Sequence, residues 1–146
     1  MRPFLPLLAL TATLATSPAF AVSMSTSQVA EIFCIARLSG DMAPVLAILT
    51  PELSELVQQH LGSGDDPATA ISWQSKPDYA NTCDPVGAQG SGEAPIAVIA
   101  YGHREADKPG YADGIVLHFI EERLRIDDIK YGIGGDTLRE RLEAMP

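Results

Sequence analysis

The segment YADGIVLHFIEERLRIDDIKYG, Tyr111 to Gly132, restricts the fold more than any other part of the chain. Ile115, Leu117 and Phe119 alternate with Val116, His118 and Ile120, the period of two that a β-strand imposes on its side chains. A second alternating run starts at Leu124, and a tight turn near Glu121 to Arg123 joins the two runs as a hairpin. The second run then breaks its own rhythm. Leu124 and Ile126 have one parity and Ile129 and Tyr131 the other, so all four face inward only if one residue is extra at Asp127 and Asp128, a β-bulge. Val116 and Ile120 make the second face apolar too, which predicts a sheet covered in part on both sides.

Upstream the pattern is helical. MSTSQVAEIFCIARLSG carries Val29, Ile32, Phe33 and Ala36 at i, i+3, i+4 and i+7, with Ser25 to Ser27 as caps and Gly40 as a stop. GDMAPVLAILTPELSELVQQHLG gives two shorter helices. Asp41 caps the first, and Thr50, Pro51 and Glu52 open the second, which stops at Gly62. From Gly62 to Pro95 turn formers dominate without a sustained period, which predicts a loop-rich connection with one short strand about Ile71 to Gln74. PIAVIAYGHR then reads as a strand. Beyond the hairpin, Gly132, Gly134 and Gly135 turn the chain, and Thr137 with Glu140 makes a capping box for a short last helix, with Asp136 adding favourable charge.

Met1 and Arg2 precede an uncharged apolar run, Phe4 to Leu14, and then SPAFA, whose Ala19 and Ala21 fit a small-x-small cleavage site. This predicts a signal peptide over residues 1–21 and a periplasmic or secreted mature chain, residues 22–146, forming one domain. The apolar run is too short for a bilayer span, so no stable membrane insertion is expected. Without Arg2, nine basic side chains stand against 19 acidic ones, and no long basic cluster exists. That balance argues against nucleic acid and would attract a basic partner. Cys34 and Cys83, an even pair in an oxidising compartment, are expected to form a disulfide rather than supply a nucleophile.

Helices, a loop-rich span, an antiparallel meander and a last helix, with Leu124, Ile126, Asp127, Asp128, Ile129, Tyr131, Leu138 and Arg139 as the signature, resemble the nuclear transport factor 2-like superfamily. More narrowly, the signature resembles a bacterial domain-of-unknown-function group ending in Ile-Asp-Asp-Ile-x-Tyr followed by Leu-Arg. The resemblance implies an α+β fold, a curved antiparallel sheet wrapping a cone-shaped cavity closed by N-terminal helices. Isomerases, dehydratases and noncatalytic binding modules share that scaffold, and homodimers through the exposed sheet face are frequent in it. Fold alone therefore leaves activity open.

Enzymes of this kind use a cavity acid with a histidine or tyrosine for proton transfer, which makes His118 and Asp128 the candidate catalytic pair. Tyr101, Tyr131 and Trp73 are the candidate binding residues, with Tyr79 and Tyr111 as further aromatics near a cavity mouth. Asp127, Asp128 and Asp136 lack the spacing of a calcium loop, and GIGGDT lacks the lysine and crossover helix of a phosphate loop. No metal and no cofactor are expected. The leading expectation is a noncatalytic exported module that binds a small apolar ligand or a protein partner. A small proton-transfer or hydrolytic enzyme, and an acidic inhibitor or immunity protein, are the alternatives.

Overall fold

The computed structural model describes residues 23–76, 80–105 and 107–146; the predicted signal peptide and Tyr79 lie outside them. Helix α1, Thr26–Ser39, begins at a capping box between Ser25 and Gln28 and stops at Gly40, whose φ of 78° is left-handed. In α2, Ala43–Leu46, the Ala43 amide donates to the Asp41 carboxylate at 3.1 Å. Thr50 and Pro51 open α3, Pro51–His60, as its sequence predicts, with the Thr50 hydroxyl accepting from the Leu53 amide. A further helix, α4, Pro67–Ala70, repeats that cap-and-proline signal at Asp66 and Pro67 and is too short to show a period.

The predicted strand about Ile71 to Gln74 does not form. Ile71 and Trp73 are instead buried plugs on an irregular segment, and the Trp73 indole donates to the Pro67 carbonyl at 2.7 Å. A strand forms where the sequence predicts loop: β1, Thr82–Gln89, contains Asp84, Pro85 and Gly87, all poor strand residues. They are tolerated because β1 is an edge strand and shifts register between Pro85 and Gly87. With β2, Ile96–Gly102, β3, Tyr111–Ile120, and β4, Arg123–Lys130, it makes an antiparallel meander in the order β1-β2-β3-β4. Helix α5, Leu138–Ala144, follows, with the Thr137–Glu140 capping box in place. The architecture is α+β, helices on an open four-stranded antiparallel sheet with a short C-terminal helix.

Across β3 and β4, Val116 faces Asp128 and Leu117 faces Ile126, so Asp127 is the extra residue of a bulge. Leu124, Ile126, Ile129 and Tyr131 are consequently all buried, against Leu53, Val57, Leu138 and Leu142 among others. Fully burying each such aliphatic side chain contributes roughly 1.5–3 kcal/mol before chain entropy is counted. The outer edge of β4 is also occupied. Ile126 donates to the Ile48 carbonyl and accepts from the Thr50 amide, each at 2.8 Å, and Lys130 bridges to Thr137.

Cys34 and Cys83 are joined in a disulfide that ties the middle of α1 to edge strand β1. The expectation of cover on both sheet faces is not met. Val116 and Ile120 are half-buried, as are their same-face neighbours Ile96 and Val98, while the buried residues Ala97, Ile99, Ile115 and Leu117 all belong to the opposite face. Val116 is shielded across the ladder by Ile96, and Ile120 lies at the hairpin end beside Arg123 and residues of the α2–α3 region, which accounts for their partial burial without a second layer.

Candidate functional site

Tyr101 and Tyr131 sit at one end of the covered sheet face, with Trp73 on the irregular segment laid over it. Two charged residues that the sequence reading passed over organise this region. Asp113 is 2% exposed, and its carboxylate accepts from the Ser75 amide at 2.8 Å and the Gly132 amide at 3.0 Å. Arg37, also buried, donates to the Ala68 carbonyl at 3.1 Å and to Gln74 Oε1 at 3.0 Å. The Tyr131 hydroxyl donates to the Ser72 carbonyl. Strand, turn and helix thus each send one polar side chain to hold residues 68–75 in place, which satisfies backbone groups that the missing strand leaves unpaired.

Both phenols stay neutral far above ordinary pH. Burial, reinforced by the Asp113 charge, raises Tyr101 well above the usual tyrosine value, and burial likewise raises Tyr131 against the opposing pull of Arg141. Tyr101 stacks on Tyr111 with ring centroids 4.8 Å apart, and Lys76 Nζ lies 5.6 Å above the Tyr111 ring. The Tyr101 hydroxyl is buried with no hydrogen-bond partner among the described residues. Beside this constellation runs a groove of about 340 Å³ bordered by Arg37, Ser72, Gln74, Lys76 and Arg141.

His118 and Asp128 lie on the other, open face of the sheet. His118 is exposed and paired across the ladder with Arg125. It borders a shallow groove of about 360 Å³ with Thr50, Glu52, Asp127 and Arg139. The Asp128 carboxylate accepts from the Ile129 amide at 2.8 Å and the Arg139 amide at 3.0 Å, so it caps the first turn of α5 from outside the helix. Asp127 binds Arg139 Nη2 at 2.6 Å and the Thr50 hydroxyl at 3.1 Å, while Arg139 Nε donates to the Asp127 carbonyl. Asp136 pairs with Arg141 through two bonds, and the Arg141 guanidinium lies 3.8 Å over the Tyr131 ring. Each of the three acids has its own protein partners, and no group of three or more metal-type ligands converges among the described residues.

A third groove, about 220 Å³, crosses the open face between Ile96, Val98, Ala112, Gly114, Lys130 and Ile133. Ile133 is fully exposed, at 107% of its reference area, on a turn where Gly132 and Gly134 hold left-handed φ values of 62° and 73°. Sequence reading treated this stretch as a glycine turn and missed Ile133. The available signal was an isoleucine flanked by glycines, where no core position exists for it. Asp113 also had a signal, since it shares the inward parity of Ile115 and Leu117. Comparison with family models, curated proteins and solved structures finds no match. Among the described residues no helix is long and apolar enough to cross a membrane.

Proposed function

We propose that this chain is an exported, noncatalytic binding module of nuclear transport factor 2-like architecture that docks a protein partner on the open face of its sheet. The observation that carries the reading is the apolar groove from Ile96 and Val98 to Ile133, with Ile133 wholly in water at its rim. A glycine-held turn presenting one large apolar side chain beside an apolar depression suits a partner that covers both. The groove opens to solvent and is bordered by Lys130 and Gln89 as well as apolar side chains, a surface that a protein partner can cover. Formal charge of −9 gives long-range attraction to a basic partner, and an inhibitor of a basic hydrolase is a special case of the same chemistry.

The noncatalytic part rests on how the reactive groups are used. Asp128 caps α5, Asp113 anchors two loop amides, and the Tyr131 hydroxyl holds Ser72, so each supports backbone rather than facing a shared vacant point. Export rests on the N-terminal pattern and accords with the Cys34–Cys83 disulfide. The test immobilises mature protein beside a Val98→Asp/Ile133→Asp variant and challenges both with a periplasmic extract, then with the purified retained protein. A basic protein held by the first, lost from the variant and weakened by salt is the expected result. Equal retention by both would refute the reading, as would a homodimer that the same substitutions dissociate.

A further inference from the structure

The groove beside residues 68–76 has a character the rest of this acidic surface lacks. Three of the chain's ten Lys and Arg residues line it, Arg37, Lys76 and Arg141, and among the described residues no Asp or Glu does. They arrive from three separate places, α1, the irregular segment and α5. Bonds to Ala68 and Gln74 fix the Arg37 guanidinium in the wall. Arg141 is oriented by its Nε and Nη2 bonds to Asp136 and by the Tyr131 ring beneath it, which leaves Nη1 outside that pair. Lys76 has no carboxylate within ion-pair range among the described residues. Its ammonium lies over Tyr111, which stacks on Tyr101, the buried ring whose hydroxyl has no hydrogen-bond partner among the described residues. Of the described acids close by, Asp113 accepts from two backbone amides and Asp136 is paired with Arg141.

We infer that this groove binds a small oxyanion, a carboxylate or phosphate group, through Lys76 and Arg141 with Arg37 as the fixed charge behind them. Preoriented cations on rigid elements give an anion charge-assisted hydrogen bonds with little ordering cost. The site is separate from the open sheet face and stands or falls independently of partner docking there. Isotope-labelled mature protein is titrated with inorganic phosphate and, separately, with acetate, following backbone amides and arginine Nε–H signals by NMR. Saturable shifts confined to residues 72–76 and the Arg37 and Arg141 side chains are expected, and the tighter of the two anions identifies the group preferred. Lys76→Gln should weaken binding about tenfold, a change of one charge-assisted contact, while Arg123→Gln at the far hairpin leaves it unchanged. Shifts scattered over Arg104, Arg123 and Arg125, or a Lys76→Gln protein that binds as tightly as the parent, would overturn the assignment.

Discussion

Ile120 pairs directly with Arg123, so the β3–β4 hairpin closes through two residues, Glu121 and Glu122, with φ values of 49° and 62°. Two positive φ values in a two-residue loop suit the right-handed twist of the strands but favour Asn-Gly, not two glutamates. A side chain in the left-handed region costs roughly 1–2 kcal/mol, and glycine gives back about 0.5–1 kcal/mol of that through its freer unfolded chain. Glu122→Gly should therefore gain about 0.5–1 kcal/mol and Glu121→Asn about 0.5 kcal/mol, since Asn tolerates this conformation. Together they amount to about 1–1.5 kcal/mol, or roughly 4–6 °C in melting temperature for a domain of this size. Urea and calorimetric unfolding would measure it, with Glu121→Gln/Glu122→Gln as the control that removes both charges and keeps the strained backbone. A double Gln variant that gains as much as the Asn-Gly variant would mean charge repulsion, not backbone conformation, limits this turn, and the reasoning would be wrong.

Three further outcomes are expected. Reducing Cys34–Cys83, or replacing both with Ala, should cost about 4 kcal/mol for the loop they close and lower the melting temperature by roughly 16 °C; an unchanged melt would show that the bridge contributes nothing. Ultraviolet titration should find that Tyr101 and Tyr131 do not ionise near the ordinary value of 10 while the protein stays folded. Because their folded values are raised, their stabilisation is complete below that value and is lost as pH climbs past it, so alkaline unfolding and their ionisation should coincide. For Asp136 the sign is opposite. Its hydrogen bonds from Arg141 hold it below the usual 3.8, so its contribution is present above that pH and fades as pH falls through the lowered value. Acid melts of Asp136→Asn should accordingly lack part of the parent's slope below pH 4.

Much of the fold was legible because its signals are local. Ser25 to Ser27, Thr50 with Pro51, and Thr137 with Glu140 each mark a helix start within four residues. The parity break from Ile126 to Ile129 places the bulge at Asp127 and Asp128 from the sequence, because a buried face admits no other register, and the pairing of Asp128 with Val116 leaves Asp127 as the extra residue. Strand β1 was illegible for the converse reason. Asp84, Pro85 and Gly87 carry no β preference, and what makes TCDPVGAQ a strand is pairing with β2 together with the bridge from Cys83 to α1, both distant in sequence. The site was harder still. Arg37 reads as the polar side of a helix, and Asp113 shows only an inward parity, until the irregular segment supplies their acceptors and donors from 31 and 38 positions away.

The acidic stretch at the end of β4 shows how one inserted residue organises the distant parts of this fold. By resetting parity, the bulge turns Ile129 and Tyr131 inward, and Tyr131 then reaches Ser72 on one side and underlies Arg141 on the other. The same bulge leaves Asp127 free of a cross-strand partner at the sheet edge, where it joins Thr50 at the start of α3 to Arg139 on α5. The Asp127–Arg139 pair is partly exposed, so its energy is modest, on the order of 1 kcal/mol or less, and it ties the first turn of α5 to the bulge. The three carboxylates of this stretch thus serve position: Asp127 and Asp128 hold the start of α5, and Asp136 pairs with Arg141, a cation bordering a groove that none of them lines.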